Sequence, residues 1–269
     1  MAETDKVFSG SIAALYDSHM VPLLFAAYAA ETAGRVASHS PSSVLEIAAG
    51  TGAVTAEMLR QLPRDVTITA TDLNQGMLDV AAEKLADRRV RLRICDAQDL
   101  PFGDESFDAV VCQFGAMFFP DRPTAYREAR RVLRKDGVYV LSVWGPIENS
   151  PFFAVVHDKV ASLFPDDPPG FFRRTPYGYH DAEAIAAALR EAGFASVEAQ
   201  SVTLPSRAPS ADDVALALCQ GTPLRNEIEQ RAPDGLARVT EAAAGALRAH
   251  FGSGPVETTM QAIIFEAGA

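Results

Sequence analysis

The residues of this sequence that point most clearly to a chemical role are an acid and the glycine turn that follows it. Val44-Leu45-Glu46-Ile47 is apolar except for its acid, and Ala48-Ala49-Gly50-Thr51-Gly52 follows directly. Glycine lets the backbone approach a ligand closely, so such a turn between a strand and a helix is typical of a nucleotide-like ligand. Glu46 would repel a phosphate but suits a ligand that carries a cationic amine.

A second acid, Asp72, follows the next apolar run, roughly 20 residues after the turn. Asp72 could accept hydrogen bonds from both hydroxyl groups of a ribose, and Leu73 and Met77 would then flank an adenine. The same acid could instead cap a helix predicted from Gln75 to Asp87. From the residues alone both interpretations stay open.

Short β-rich runs alternate with helical patterns around these acids. The runs are Val44–Ala48, Val66–Thr71, Val90–Cys95, Phe107–Gln113, Gly137–Val143, Val197–Leu204 and Thr258–Phe265. A helix is predicted from Ala53 to Leu62, with Pro63 ending it. This alternation predicts βαβ units and an α/β, doubly wound, mostly parallel sheet, whose ligands bind at the carboxyl ends of the strands.

Two segments interrupt the alternation. Pro146 to Tyr179 is rich in Pro, Phe and Gly, whereas Pro205 to Pro255 is rich in Ala and mainly helical by pattern. We predict one domain, with a core of about residues 35–145, 181–204 and 256–267 and a cap of residues 1–34, 146–180 and 205–255. Aromatic residues in the cap could grip a planar acceptor or pack the cap itself.

Further motifs make the pattern specific. Asp96-Ala97 precedes Leu100-Pro101-Phe102, Phe107-Asp108 opens a strand, and Arg131-Val132-Leu133-Arg134-Lys135-Asp136-Gly137 precedes another. With Glu46–Gly52 and Asp72, this order resembles the class I S-adenosylmethionine-dependent methyltransferases. It is most similar to their small-molecule branch, which contains the ubiquinone and menaquinone biosynthesis methyltransferases. The resemblance covers about residues 40 to 145 and says little about the acceptor.

The resemblance implies a seven-stranded Rossmann-like methyltransferase sheet with helical cap insertions, and S-adenosylmethionine as cofactor. It also implies positions for the cofactor. Gly50 and Gly52 would lie under the methionine part, Glu46 near its ammonium, Asp72 on the ribose, Asp96 and Ala97 on the adenine, and Gln113 at the closing edge of the pocket. Leu73 and Met77 would flank the adenine. Tyr16 would fold over the cofactor, or anchor a helix from Pro22 to Ala37.

One position departs from the family pattern, because Ala48 stands where a glycine is usual. We expect Ala48 to keep a negative φ and the turn to be slightly tighter. Gly115 is expected to leave room for the methyl group and the acceptor. Trp144 is expected to pack beneath the cap or, alternatively, to stack on the substrate.

Methyl transfer from a sulfonium needs an acceptor held in line, and orientation can supply about 7–11 kcal/mol of the barrier reduction. A general base is required only for a protonated acceptor. The candidates in the predicted cap are His19, His157, His180, Tyr177 and Tyr179. For each, packing or helix entry is the alternative interpretation, so the catalytic residue is unknown from sequence.

The bulk composition limits the partners. A net charge of −11 disfavours nucleic acid, and the three cysteines lack the spacing of a metal site or disulfide framework. No apolar run reaches the roughly 20 residues of a membrane span, and Met1 to Asp5 does not resemble a secretory signal. We expect a cytoplasmic enzyme without a metal, acting on a small-molecule acceptor, with a homodimer as one possible assembly.

Two other functions remain open at this point. A nicotinamide-dependent oxidoreductase would also use a glycine turn and a ribose-binding acid, although Glu46 and Asp96-Ala97 disfavour it. A catalytically inactive S-adenosylmethionine-binding sensor or partner protein would keep the same pocket. We predict transfer of a methyl group to O, N or C of a small organic acceptor.

Overall fold

The computed structural model describes residues 15–269. Met1 to Asp5, and the part of the predicted cap before residue 15, lie outside the described residues. The strands are β1 (Ser43–Ile47), β2 (Thr67–Asp72), β3 (Val90–Ile94), β4 (Phe107–Gln113), β5 (Leu133–Trp144), β6 (Ser196–Ala208) and β7 (Val256–Gly268).

A π-helical segment, Tyr16–Phe25, precedes the first α-helix, and two short 3-10 helices, Ala116–Phe118 and Ile147–Asn149, lie between later elements. The α-helices are α1 (Ala26–Ser38), α2 (Ala53–Gln61), α3 (Gln75–Lys84), α4 (Arg122–Val132), α5 (Pro151–Ser162), α6 (Phe171–Arg174), α7 (Ala182–Glu191), α8 (Ala211–Gln220), α9 (Leu224–Arg231) and α10 (Leu236–Phe251). The helix predicted from Pro22 therefore begins earlier, as a π-helix, in which Pro22 has no N–H to donate.

The strands form one seven-stranded sheet in the order β3-β2-β1-β4-β5-β7-β6. β1 pairs in parallel with β2 and β4, β2 with β3, and β4 with β5, whereas β7 runs antiparallel to β5. The predicted α/β fold with a mostly parallel sheet is confirmed. Parallel pairing follows from the helices that connect successive strands, since each returns the chain to the same end of the sheet.

Local packing explains why these segments fold as they do. β1 buries Val44 and Leu45 completely, and α2 turns Val54 and Met58 onto the same core cluster. β6 runs past Pro205, where the predicted strand stopped at Leu204. Because β6 is the edge strand of the sheet, a proline without an N–H is tolerated there.

The chain divides into two compact units. The sheet unit comprises Tyr28–Trp144, Tyr179–Val202 and Ala262–Ala269. The helical unit comprises Gly145–Gly178, Thr203–Gln261 and, within the described chain, residues 15–27. That core and cap act as a single domain stays a prediction.

Glu227 organises part of the helical unit. Its carboxylate accepts hydrogen bonds from the N–H groups of Gly170 (2.8 Å) and Phe171 (3.1 Å), and it pairs with Arg174 at 2.8 Å. Phe172 next to them packs edge-on against Phe153, with ring centroids 4.9 Å apart. The predicted cap aromatics in this segment therefore pack on one another. Between residues 15 and 269, no helix has the length and apolar character needed to cross a membrane.

Candidate cofactor site

The strand order creates a crevice at the carboxyl ends of β1 and β4. The chain continues from β1 to β2 and from β4 to β5, in opposite directions along the sheet. In open parallel sheets, ligands bind outside the strand ends at such a switch point. The glycine turn follows β1, so the fold places it at the position where a ligand is expected.

The turn after β1 consists largely of left-handed backbone. The φ angle is 55° at Ala48, 58° at Gly50 and 82° at Gly52. The negative φ predicted for Ala48 is therefore wrong. Residue 48 has to turn the chain while the Ala49 N–H stays bonded to the Thr71 carbonyl of β2, at 2.9 Å. A residue with a Cβ loses about 1–2 kcal/mol in this conformation, which other contacts must offset.

Glu46 lies beneath the turn, on β1. Its side chain is buried, and one carboxylate oxygen accepts a short hydrogen bond from the Thr55 hydroxyl of α2. Burial raises the pKa of Glu46 to about 8; the Thr55 hydrogen bond opposes this shift, and the charge of Asp72 adds to it. The carboxyl is therefore largely protonated at neutral pH, and a cation brought next to it would favour its ionised form.

Asp72 holds the glycine turn from the end of β2. One carboxylate oxygen accepts the Gly50 N–H and the other accepts the Asn74 N–H, both at 2.8 Å. Burial raises the pKa of Asp72, and these N–H groups oppose that rise. The alternative that Asp72 is the N-cap of α3 is wrong, because Asn74 occupies that position. Asp72 thus joins β2 to the turn after β1.

Thr51, between the two glycines, is a candidate site residue that sequence reasoning missed. It is buried, and its hydroxyl makes no hydrogen bond within residues 15–269. Buried hydroxyls are nearly always satisfied, so an orphan in a ligand-binding turn fits a partner supplied by the ligand. A polar residue flanked by Gly50 and Gly52 was the available signal.

The residues predicted around an adenine lie at the ends of β2 and β3. Asp72 pairs in register with Ile94, and the Cys95 N–H donates to the Asp72 carbonyl at 3.0 Å, so Asp96 follows close to this point. The Asp96 carboxylate accepts the Gln98 N–H at 2.9 Å. Of the other predicted residues, Leu73 is 52% exposed, whereas Met77 and Ala97 are buried. An exposed leucine beside a buried carboxylate suits a flat apolar ring.

Gln113 ends β4 on the other side of the switch point. Its side-chain oxygen accepts a hydrogen bond from the Thr32 hydroxyl of α1, at 2.9 Å. Phe114 follows with a φ of 54° and stacks on Trp144, with ring centroids 3.6 Å apart. Tyr28 meets both rings edge-on, at 5.4 Å. Trp144 therefore packs within an aromatic cluster of the sheet unit.

A family model described as a methyltransferase domain matches residues 45–141. The ubiquinone/menaquinone biosynthesis C-methyltransferase UbiE of Idiomarina loihiensis is 30% identical over 173 residues, covering 60% of this chain and 69% of that protein. The demethylmenaquinone methyltransferase of Clavibacter sepedonicus is 31% identical over 182 residues, covering 64% and 73%.

The chain belongs to the class I S-adenosylmethionine-dependent methyltransferases. The solved structure of the YcgJ protein from Bacillus subtilis supports the fold, with a TM-score of 0.56 at 21% identity over 88% of this chain and 97% of that one. The methyltransferase therefore uses S-adenosylmethionine, and the nicotinamide-dependent alternative is set aside. Buried carboxyls on either side of a glycine turn, with an unsatisfied hydroxyl within it, fit this cofactor.

The candidate general bases of the methyltransferase are divided between the two units. His19, His157 and Tyr177 belong to the helical unit, whereas Tyr179 and His180 belong to the sheet unit. The His19 ring contacts the Ser18 hydroxyl at 2.7 Å. Burial, together with the charge of Arg173, lowers the pKa of His157.

The tyrosines among these candidates have packing partners. Tyr177 is buried against Phe153, with ring centroids 4.9 Å apart. The Tyr179 hydroxyl contacts the Tyr126 hydroxyl at 3.0 Å, and burial raises the pKa of Tyr179. Tyr16 stacks on Phe25 within the helical unit, at 5.1 Å. Packing accounts for these rings, and their roles toward cofactor or acceptor stay predictions.

Proposed function

We propose that the crevice at the ends of β1, β2 and β4 binds S-adenosylmethionine. Glu46 would lie near the ammonium group, Thr51 would bond to the amino-acid part, and Asp72 would accept the ribose hydroxyls. Leu73, Met77, Asp96 and Ala97 would surround the adenine, with Ala48, Gly50 and Gly52 forming the floor and Gln113 the far edge. The observation that carries this proposal is the pair of buried carboxyls, Glu46 and Asp72, on either side of one glycine turn.

The charges of the site support this placement. Asp72 already accepts two backbone N–H groups, and a buried carboxylate can accept further hydrogen bonds through its remaining lone pairs. Glu46 accepts a hydrogen bond from the Thr55 hydroxyl, and burial leaves its carboxyl largely protonated at neutral pH. A cationic ligand would favour ionisation of this carboxyl, whereas a diphosphate would oppose it.

We further propose that the acceptor is a small, planar organic molecule of the quinone, phenol or enol type. The two relatives act, by their names, in ubiquinone or menaquinone biosynthesis and on demethylmenaquinone. The net charge of −11 supports a small acceptor over a nucleic acid. On such an acceptor, both O- and C-methylation remain within this proposal.

When bound, S-adenosylmethionine would supply a methyl group on a sulfonium; the acceptor atom would bond to the methyl carbon in line as the carbon–sulfur bond breaks and S-adenosylhomocysteine leaves. What this chain contributes is orientation: the turn after β1 holds one reactant, and the aromatic cluster of Tyr28, Phe114 and Trp144 bounds the neighbouring strand ends. Holding two reactants in this way can account for about 7–11 kcal/mol. A phenol or enol acceptor would also need a base to take its proton, and the residue that acts as this base is not assigned.

Calorimetry and turnover test the proposal together. Purified protein should bind S-adenosylhomocysteine with a stoichiometry of one, and it should transfer a labelled methyl group to some member of a panel of quinols, phenols, enols and amines. Tight binding without transfer to any acceptor would favour the inactive sensor. Absence of binding to both S-adenosylmethionine and S-adenosylhomocysteine would overturn the proposed site.

A further inference from the structure

Gly115 is a glycine for reasons of space. Its φ of −95° is open to any residue. A Cβ at this position would lie 2.5 Å from the Ala48 Cβ and 2.8 Å from the Cys112 Sγ, both closer than side-chain carbons approach other atoms. The room that sequence analysis assigned to a methyl group and acceptor is therefore filled by Ala48 and Cys112.

The backbone conformation of Ala48 is unusual, and this accompanies the missing Cβ of Gly115. It holds a left-handed φ of 55°, which glycine adopts freely and alanine does not. Its methyl group occupies the space that the missing Cβ of Gly115 leaves open. The turn after β1 and the turn after β4 thus meet at one contact between two small residues, each of which fits only because of the other.

The turn after β4 is fixed on its remaining sides. The Gly115 carbonyl accepts a hydrogen bond from the Phe118 N–H at 2.9 Å. Arg122 donates to the carbonyls of Ala116 (3.1 Å) and Met117 (3.0 Å). If the turn after β1 moves, it therefore pushes against a turn that hydrogen bonds hold in place.

The aromatic cluster is attached to the same turn. Phe114 precedes Gly115 directly, its N–H donates to the Ser142 carbonyl at 3.0 Å, and its ring lies flat on Trp144. Any movement of Gly115 is therefore passed to the Phe114 and Trp144 rings. Trp144 is the single tryptophan of the chain, so its fluorescence reports this cluster alone.

We propose that Ala48 and Gly115 are a positioning pair that couples the cofactor turn to the aromatic cluster at the ends of β4 and β5. The methyl group of Ala48 sets the spacing between the two turns, and a change in the cofactor turn is transmitted through it to Phe114 and Trp144. This inference rests on the proposed placement of S-adenosylmethionine on the turn after β1.

A double-mutant cycle on this pair tests the contact. Gly115→Ala should weaken S-adenosylhomocysteine binding roughly ten- to fiftyfold, because the new Cβ displaces Ala48. In an Ala48→Gly background the same substitution should cost at least about threefold less, since the opposing methyl group is gone and only the contact with Cys112 remains. The contact with Cys112 is present in both backgrounds and cancels in the cycle. Gly103→Ala, whose Cβ would lie 3.5 Å from the Ser106 hydroxyl, is the matched control and should change nothing.

Fluorescence of Trp144 tests whether a change in the cofactor turn reaches the aromatic cluster. This test needs no substitution that introduces a steric clash. S-adenosylhomocysteine should change the emission of the wild-type protein. Ala48→Gly, saturated with the ligand at whatever affinity calorimetry gives, should show less than about half of that emission change. Equal losses from Gly115→Ala in both backgrounds, or a full emission change in saturated Ala48→Gly, would overturn the inference. If Ala48→Gly cannot be saturated, equal shifts of the unfolding temperature by Gly115→Ala in both backgrounds would overturn it. If wild-type protein binds no S-adenosylhomocysteine, the proposed function fails, and the cycle measured on unfolding temperature still decides whether the contact exists.

Discussion

The two sides of the switch point are built from different chemistry. At the ends of β1 and β2, the carboxyls of Glu46 and Asp72 are buried and bonded to a hydroxyl and to backbone N–H groups. At the ends of β4 and β5, the stacked rings of Phe114 and Trp144 lie against Tyr28. One side carries polar groups that suit a polar cofactor, whereas the other is a cluster of buried aromatic rings. This contrast fits the proposed assignment of cofactor binding and acceptor orientation to separate strand pairs of one sheet.

The largest effect is expected on the polar side, at Asp72. Asp72→Ala removes the acceptor of the Gly50 and Asn74 N–H groups as well as the proposed ribose contact. S-adenosylhomocysteine affinity should fall by about 1–3 kcal/mol, measured by calorimetry. Asp65→Ala, at an exposed carboxylate, is the control. Unchanged affinity in Asp72→Ala would remove this residue from the site.

The stability of the folded protein should depend on pH because of the Glu46 carboxyl group. Its pKa is about 8 in the folded protein, against an ordinary value of 4.5, so the folded state binds this proton more tightly than the unfolded state. The resulting stability is complete below about pH 4.5 and is lost as the pH rises toward about 8. Thermal unfolding across this range should show a smaller decrease for Glu46→Gln than for wild type. Parallel curves for the two proteins would mean that Glu46 titrates normally.

A smaller loss of cofactor affinity, without a loss of stability, is expected when Thr51 is substituted. Thr51→Val replaces the orphan hydroxyl with a methyl group of similar size, so the unliganded protein should unfold at an equal or higher temperature. Binding of S-adenosylhomocysteine should nevertheless weaken by about 1 kcal/mol. A loss of stability without a loss of affinity would show that the hydroxyl has a structural partner instead.

The smallest effect on cofactor binding is expected from substitution of Tyr126, on α4. Tyr126→Phe breaks the hydroxyl contact with Tyr179 at 3.0 Å, while the Tyr179 ring keeps Arg122 over its face at 4.0 Å. The free energy of unfolding should fall by about 0.5–1.5 kcal/mol, with cofactor affinity unchanged. Tyr179→Phe should reproduce this loss, and the double variant should add little to it. A binding defect in either variant would contradict the separation of the two sides.

Much of the polar side could be predicted from the sequence because its signals are local. Glu46 lies within the first predicted strand, Gly50 and Gly52 lie in the turn that follows it, and Asp72 comes at the end of the second strand. Their positions near the strand ends therefore come with the strands. Thr51 was missed because an unsatisfied hydroxyl becomes visible only when everything around it is in place. The φ of Ala48 was mistaken for the same reason, since the bond between Ala49 and Thr71 that fixes it spans two strands.

The contacts of the aromatic cluster could not be predicted from the sequence because they join residues far apart in the chain. Tyr28, Phe114 and Trp144 come from α1 and from the ends of β4 and β5, and no spacing rule links them. Thr32 on Gln113 and Ala48 against Gly115 are contacts of the same kind.

The amino-acid sequence by itself determined the alternation of strands and helices, the order of the acids and the cofactor class, because apolar periodicity and short motifs depend on neighbouring residues. Only the tertiary structure decided which side chains meet across the crevice and which buried groups go unsatisfied. Packing and burial are properties of the assembled sheet, and they emerge when strands distant in the chain lie side by side.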